Sequence, residues 1–205
     1  MKVAIIGAGN VGRALGTSLT RAGHEVTISA STPQSAVAAA REIGASPADS
    51  AATAVKDAGV IIFAVPYQAG EAVAAEIADR VSGRTIIDVS NPIKADSSGL
   101  ATATSAAEEL QHHLPDAHIV KAFNTVFASN QADPTASAEP IDGYVAGDDG
   151  DAKREVMSLL ESIGMKPLDV GPLSSARYLE GMAYVNIGLN AQNGWSWTSA
   201  WHLER

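Results

Sequence analysis

The chain has 205 residues, of which 46% are hydrophobic and 18% charged, so it can bury a sizeable core and is not a disordered chain. Its formal net charge is −9, and no cluster of Lys and Arg stands ready to neutralise a nucleic-acid backbone, which argues against a nucleic-acid partner. It has no cysteine, which excludes disulfides, thiolate catalysis and Cys-ligated metals and suits a reducing cytoplasm.

Met1-Lys2 leads straight into Val3-Ala4-Ile5-Ile6, an apolar run too short for a signal-peptide core. No apolar stretch reaches the roughly 18–20 residues that span a bilayer. A cytoplasmic protein with no membrane partner is expected. Residues 3–6 read as a buried parallel strand, because a strand covered on both faces is apolar without alternation. A helix is predicted over 10–22, stopped by Gly23, then a β-branched strand over 25–29. An alanine-rich helix over 33–43 ends at Gly44, and a short helix is expected over 49–56. Val60-Ile61-Ile62-Phe63-Ala64-Val65 is a strong buried strand, followed by a helix over 70–81 and a strand over 84–89.

Further on, a helix over 105–114 precedes a strand over 118–122, and residues 128–139 read as a polar loop. A strand over 142–147 runs into Asp148-Asp149-Gly150-Asp151, which reads as a cap for a helix over 152–163 rather than a calcium loop. A strand over 165–170, a long apolar helix over 174–189 and a helical aromatic tail over 195–201 complete the chain. Strands alternating with helices predict an α/β fold, a Rossmann-type, doubly wound and mostly parallel sheet. Residues 1–140 are expected to form the dinucleotide-binding domain, and 141–205 a small C-terminal segment for the second substrate and for dimerisation.

The main chemical signal is Gly7-Ala8-Gly9-Asn10-Val11-Gly12, which follows the first strand and opens the first helix, the context this glycine pattern requires. Gly7 permits the tight turn, Gly9 lets the backbone approach a pyrophosphate, and Gly12 lets the helix pack on the sheet. An NAD enzyme usually carries an acid about 20 residues further on. Here the second strand ends Thr27-Ile28-Ser29-Ala30-Ser31-Thr32, with no acid to repel a 2′-phosphate and hydroxyls on Ser29, Ser31 and Thr32 that can donate to one. NADP is therefore favoured, although no Arg stands there; the same hydroxyls also suit a cap for the helix opening at Pro33.

Ligands in such sheets sit at strand C-termini. Val65-Pro66-Tyr67 ends the third predicted strand, Asp88-Val89-Ser90-Asn91-Pro92 the next, and Ala122-Phe123-Asn124-Thr125 another on the same rim. Pro66 would fix the loop beside the nicotinamide ribose, and Tyr67 would border the nicotinamide or the second ligand. Asn91 offers a donor and an acceptor, Phe123 a flat ring, and Asn124 an amide. Each of these has an ordinary packing or turn role as its alternative. No His pair has helical metal-site spacing, so no metal ligand is expected. There is no Tyr-x-x-x-Lys pair, and among the lysines only Lys94 and Lys121 lie near the rim. With no catalytic side chain in view, the cleft is expected to hold two flat redox rings that need orientation more than a proton shuttle.

These pieces together resemble the NADPH-dependent reductases of the deazaflavin coenzyme F-420 (F420). The likeness covers nearly the whole chain. It rests on the glycine loop, on Asp88-Val89-Ser90-Asn91-Pro92, on Val120-Lys121-Ala122-Phe123-Asn124-Thr125 and on Ala146-Gly147-Asp148-Asp149. It rests most on Met165-Lys166-Pro167-Leu168-Asp169-Val170-Gly171-Pro172-Leu173 leading into Ala176-Arg177-Tyr178-Leu179-Glu180. The resemblance implies a homodimeric oxidoreductase that moves hydride between NADP(H) and coenzyme F-420, or a flavin-like acceptor, without a catalytic side chain. It also implies that the deazaflavin meets Pro66, Asn91, Pro92 and Phe123. Where well-studied members carry Arg after the second strand, this chain has Ser31-Thr32. The competing expectations are a reductase of a small imine or carbonyl and a non-enzymatic NADP sensor. Trp195, Trp197 and Trp201 with the long helix suggest an apolar surface that a second copy would cover.

Overall fold

The computed structural model describes residues 1–137 and 139–204. In chain order the strands are β1 (Lys2–Ile6), β2 (Glu25–Ser29), β3 (Ser46–Ala48), β4 (Val60–Phe63), β5 (Thr85–Asp88), β6 (His118–Lys121), β7 (Asp142–Gly147) and β8 (Lys166–Asp169). The helices are α1 (Asn10–Arg21), α2 (Pro33–Ile43), α3 (Ala51–Ala54), α4 (Gly70–Ile77), α5 (Ala106–His113), α6 (Ala128–Ala132), α7 (Gly150–Ser162) and α8 (Ala176–Asn193). The strands form one sheet in the order β3-β2-β1-β4-β5-β6-β7-β8. Neighbours are parallel except β6 and β7, which run antiparallel. The order reverses between β1 and β4, and a crevice opens there at the strand C-termini.

The apolar runs are continuous because each face of the sheet has its own core. Val3, Ile5, Ile28 and Ile62 pack with Leu15 and Leu19 of α1 and with Val156 and Leu160 of α7. Ala4, Ile6, Ile61 and Ile86 pack on the opposite face with Ile77 of α4, Leu110 of α5 and Ala176 of α8. Adjacent residues of one strand thus serve two cores, as period-two side chains must. Gly16 lets α1 and α2 approach closely: a Cβ there would lie 2.4 Å from Ile43 Cδ1.

Helix ends follow local chemistry. The Thr32 side chain accepts from Ser35 N at the start of α2, Pro33 is its first residue, and Gly44 ends it with φ 71°. Asp149 Oδ1 accepts from Ala152 N at 2.8 Å and caps α7, as the acidic knot predicts.

Three local expectations are corrected. Ser46–Ala48 is an edge strand on β2, too short and too rich in Ser and Pro to show a β pattern. Within the predicted loop 128–139, of which residue 138 lies outside the described residues, Ala128–Ala132 is a helix packed against α1. The aromatic tail is not helical: Gly194 takes φ 64° and ends α8 at Asn193. The tail folds back, where Ser129 Oγ donates to Trp197 O and the Trp197 ring meets Phe127 edge-on at 5.4 Å. Trp201 Nε1 donates to Met182 O at 3.3 Å, which lays the tail along α8.

Candidate functional site

The crevice is built by backbone sterics at the β1–α1 turn. Gly7 has φ 110°, and a Cβ there would lie 2.2 Å from Ala64 O on β4's end. A Cβ on Gly12 would lie 1.9 Å from Gly7 O, so the helix packs beneath the loop only with glycine. Gly9, the N-cap of α1, has nothing within 4 Å of a built Cβ, which leaves open space on the face toward the crevice. No side chain caps α1 and no acid lies in its first turn. Its free N–H groups and dipole are therefore available to an anion. This cradle fits a pyrophosphate.

The crevice encloses about 870 Å³ and is lined by Gly7, Ala8, Gly9, Asn10, Val11, Ser29, Ser31, Val65, Pro66 and Asn91, all of them expected on sequence grounds. Arg13, Ser35, Asp49 and Glu76 line it as well and escape the sequence reading. Glu76 Oε1 accepts from Ala52 N at 3.1 Å, so that carboxylate is engaged.

Six expected residues do not line this crevice, and one of them, Tyr67, lies in the adjoining cavity described below. Gly12 lies beneath the loop and Thr32 serves as the α2 cap. Pro92 is buried. Phe123 is fully buried, which corrects its expected place as a stacking platform: the chain turns there with φ 64° and the ring packs in the core. Asn124 and Asn91 hold each other. Asn124 Nδ2 donates to Asn91 Oδ1 at 2.9 Å, and Asn91 Nδ2 donates to Asn124 O at 3.0 Å. The amide that looked free for a ligand thus ties the β5 rim to the β6 rim.

A second cavity of about 220 Å³ adjoins the crevice and shares Val65, Pro66 and Ser90 with it. Tyr67, Asp88, Glu109 and His113 also line it. Tyr67 Oη donates to Glu109 Oε2 at 2.7 Å, while Thr102 Oγ1 donates to the other carboxylate oxygen. Burial and then the bond to Glu109 push the Tyr67 phenol up to about 12, so it keeps its proton at neutral pH.

Beneath both cavities lies a buried ionic cluster. Lys121 Nζ donates to Asp88 Oδ2 at 2.8 Å, to Glu180 Oε1 at 2.8 Å and to Ser90 O at 2.5 Å, which uses all three of its protons. Lys121 and Glu180 are both 0% exposed. Glu180 Oε1 also accepts from Ala106 N at 2.9 Å, and its Oε2 has no hydrogen-bond partner among the described residues. Burial pushes the Glu180 carboxyl above the usual glutamate range, against the pull of Lys121. Lys121 was visible near the rim in the sequence, and a Lys closing an apolar strand was the one signal of this cluster. Its partners come from β5 and α8. Among the described residues no group of three or more His, Cys, Asp or Glu could hold a metal. Among them, too, no helix is long and apolar enough to cross a membrane.

Comparison with known proteins adds the following. The family model described as NADP oxidoreductase, coenzyme F420-dependent, matches residues 2–92. An F420-dependent NADP reductase of Methanothermobacter marburgensis is 32% identical over 215 residues, covering 94% of this chain and 94% of the relative. The metalloreductase STEAP3 of Rattus norvegicus is 31% identical over 183 residues, covering 87% of this chain. The chain spans only 36% of that larger relative. A crystal structure from Arthrobacter sp. FB24, reported as a candidate F420-dependent NADP reductase, superposes over 100% of both chains with a TM-score of 0.89 at 29% identity.

Proposed function

The chain belongs to the F420-dependent NADP oxidoreductase family, and from that premise we propose that it exchanges hydride between NADP(H) and the deazaflavin F420 or a flavin-like acceptor. The observation that carries this reading is the continuity of the two cavities across Val65, Pro66 and Ser90. The crevice that extends from the glycine loop to that shared wall would hold the dinucleotide. When bound, the nicotinamide would supply a hydride, and a flat acceptor in the adjoining cavity would take it up together with a proton from solvent.

The protein's part is to bind, orient and exclude water. Gly7, Gly9 and the open N-terminus of α1 hold the pyrophosphate. Pro66 and the Asn91–Asn124 pair would fix the rim at which the nicotinamide would be held. Two of the polar groups lining the second cavity are already paired: Tyr67 with Glu109, and Asp88 with Lys121. That suits a transfer in which no alcohol proton has to move. We assign residues 1–140 to NADP, since the crevice lining ends at Asn91. Residues 141–205 go to the dimer, since α8 shows an apolar outer face; none of them lines the second cavity, and α8 meets the site only from beneath, through the buried Glu180. The enzyme is taken to be cytoplasmic and a homodimer.

Adding oxidised F420 to the protein with NADPH should bleach the F420 absorbance with stoichiometric NADPH oxidation. Tight NADPH binding with no turnover of F420, FMN or FAD would overturn this reading. A second reading, reduction of a small imine or carbonyl, draws on the modest volume of the second cavity and on Tyr67 and His113 as its polar lining. NADPH oxidation by a cyclic imine but not by F420 would select it.

A further inference from the structure

We propose that Arg13 is the 2′-phosphate clamp of this chain and that Glu42 is its resting partner, the two together setting the preference for NADP over NAD. The inference rests on the NADP reading above. A ribose 2′-phosphate carries close to two negative charges and is normally met by a guanidinium or ammonium group at the end of the second strand. From Ser29 to Thr32 this chain has none. Among the described residues lining the crevice, Arg13 is the one cation.

Its position suits the task. Arg13 stands in the first turns of α1, and its Nε donates to Ala8 O at 2.9 Å, which holds the guanidinium against the glycine loop. A terminal nitrogen pairs with Glu42 Oε2 near the end of α2. Ser35, Ala38 and Glu42 follow one another along one face of α2 at spacings of three and four residues. Ser35 lines the same crevice as Arg13 and Ser31. Ala38, exposed between Ser35 and Glu42, ends at its Cβ and presents no long side chain of its own on that face.

The resting pair is weak enough to exchange. The Arg13 and Glu42 side chains are 30% and 62% exposed, and ion pairs at such exposure are weakly held and screened by salt. A phosphate offers the same guanidinium two oxygens in bidentate geometry and more charge. The guanidinium therefore leaves Glu42 when a 2′-phosphate arrives and stays with Glu42 when a 2′-hydroxyl arrives. Asp49, on the β3 side of the crevice, is the competing determinant: a carboxylate there accepting the ribose hydroxyl would favour NAD instead.

The test is titration of the full chain with NADPH and with NADH, followed by nicotinamide fluorescence, for the unaltered protein, Arg13→Gln and Glu42→Gln. Arg13→Gln should weaken NADPH by about 10- to 100-fold, the range for losing one charged hydrogen bond, and leave NADH within about twofold. Glu42→Gln should tighten NADPH by about 1.5- to fivefold, by removing the competing carboxylate, and leave NADH unchanged. Both variants change half-exposed surface residues, and their unfolding midpoints should match that of the unaltered protein. Equal weakening of both nucleotides by Arg13→Gln, or NADPH affinity unmoved by it, would overturn the clamp while leaving the NADP reading intact. Tighter binding of NADH than NADPH by the unaltered chain would overturn the NADP reading itself and point to Asp49.

Discussion

Gly9 and Gly12 sit three residues apart, yet the structure gives them separable jobs. A methyl on Gly12 runs into Gly7 O, so Gly12→Ala must displace backbone and should destabilise the fold by about 2 kcal/mol or more. A methyl on Gly9 meets nothing within 4 Å, and Gly9 already has φ −75°, which alanine adopts freely. Gly9→Ala should therefore unfold at nearly the same urea concentration, within about 0.5 kcal/mol, and still lose about tenfold or more in NADPH affinity. Urea denaturation and fluorescence titration of both variants separate the two effects. An unchanged NADPH affinity in Gly9→Ala would remove the close approach of pyrophosphate to this loop. The loop was legible in the sequence because its glycines answer to local backbone sterics. Lys121 was legible only as an oddity, because its partners Asp88 and Glu180 lie 33 and 59 residues away. Phe123 misled because a strand-end aromatic reads as exposed until a positive φ turns its ring inward.

At the scale of elements, capping chemistry was readable and tertiary docking was not. Thr32 and Asp149 announce α2 and α7 through their own side chains. β3 was hidden, since Ser-Pro-Ala has no strand pattern and only pairing with β2 makes it one. The docking of α8 likewise depends on a buried glutamate that no helical periodicity reveals. Lys121 binds both Asp88 and Glu180, so Lys121→Met leaves two carboxylates in the interior and should cost about 3–5 kcal/mol. Glu180 carries a pH signature of its own. Its carboxyl is held above the value of 4.5 that it has in an unfolded chain. Below that value both states are protonated and the group sets no pH dependence. As pH rises, the unfolded chain releases the proton first, so stability falls until the folded group also ionises. Glu180→Gln, an isostere of the protonated form, should flatten this fall as pH rises above 4.5. Urea midpoints measured across that range give the comparison. Parallel curves for the two proteins would mean that Glu180 is ionised throughout.

For the molecule as a whole, a doubly wound and mostly parallel sheet followed from alternation of strands and helices, while the association state depends on which surface is left apolar. Tyr178 is 75% exposed, Val185 50% and Leu189 38%, and they lie at helical spacing along one face of α8. An 18-residue helix is only about 27 Å long, and a single face of it falls short of the roughly 800 Å² per partner of a stable interface. The folded-back tail offers further exposed apolar surface. Trp195, Trp197 and Leu203 are each 44% exposed or more, and the Trp201 bond to Met182 O keeps that segment alongside α8. A homodimer of the kind proposed should therefore use α8 and the tail together. The unaltered chain should sediment at twice the mass of one protomer. Val185→Glu with Leu189→Glu should sediment at the mass of one, because two buried charges facing their own copies repel and lose water. Trp195→Ser alone should weaken the dimer without abolishing it. Since these side chains are solvent-facing within one protomer, the monomeric variant should keep its NADPH affinity and nearly all of its own folding stability. A chain that sediments as a monomer before any substitution would show that the tail, by covering part of α8, has already done the work assigned to a second copy.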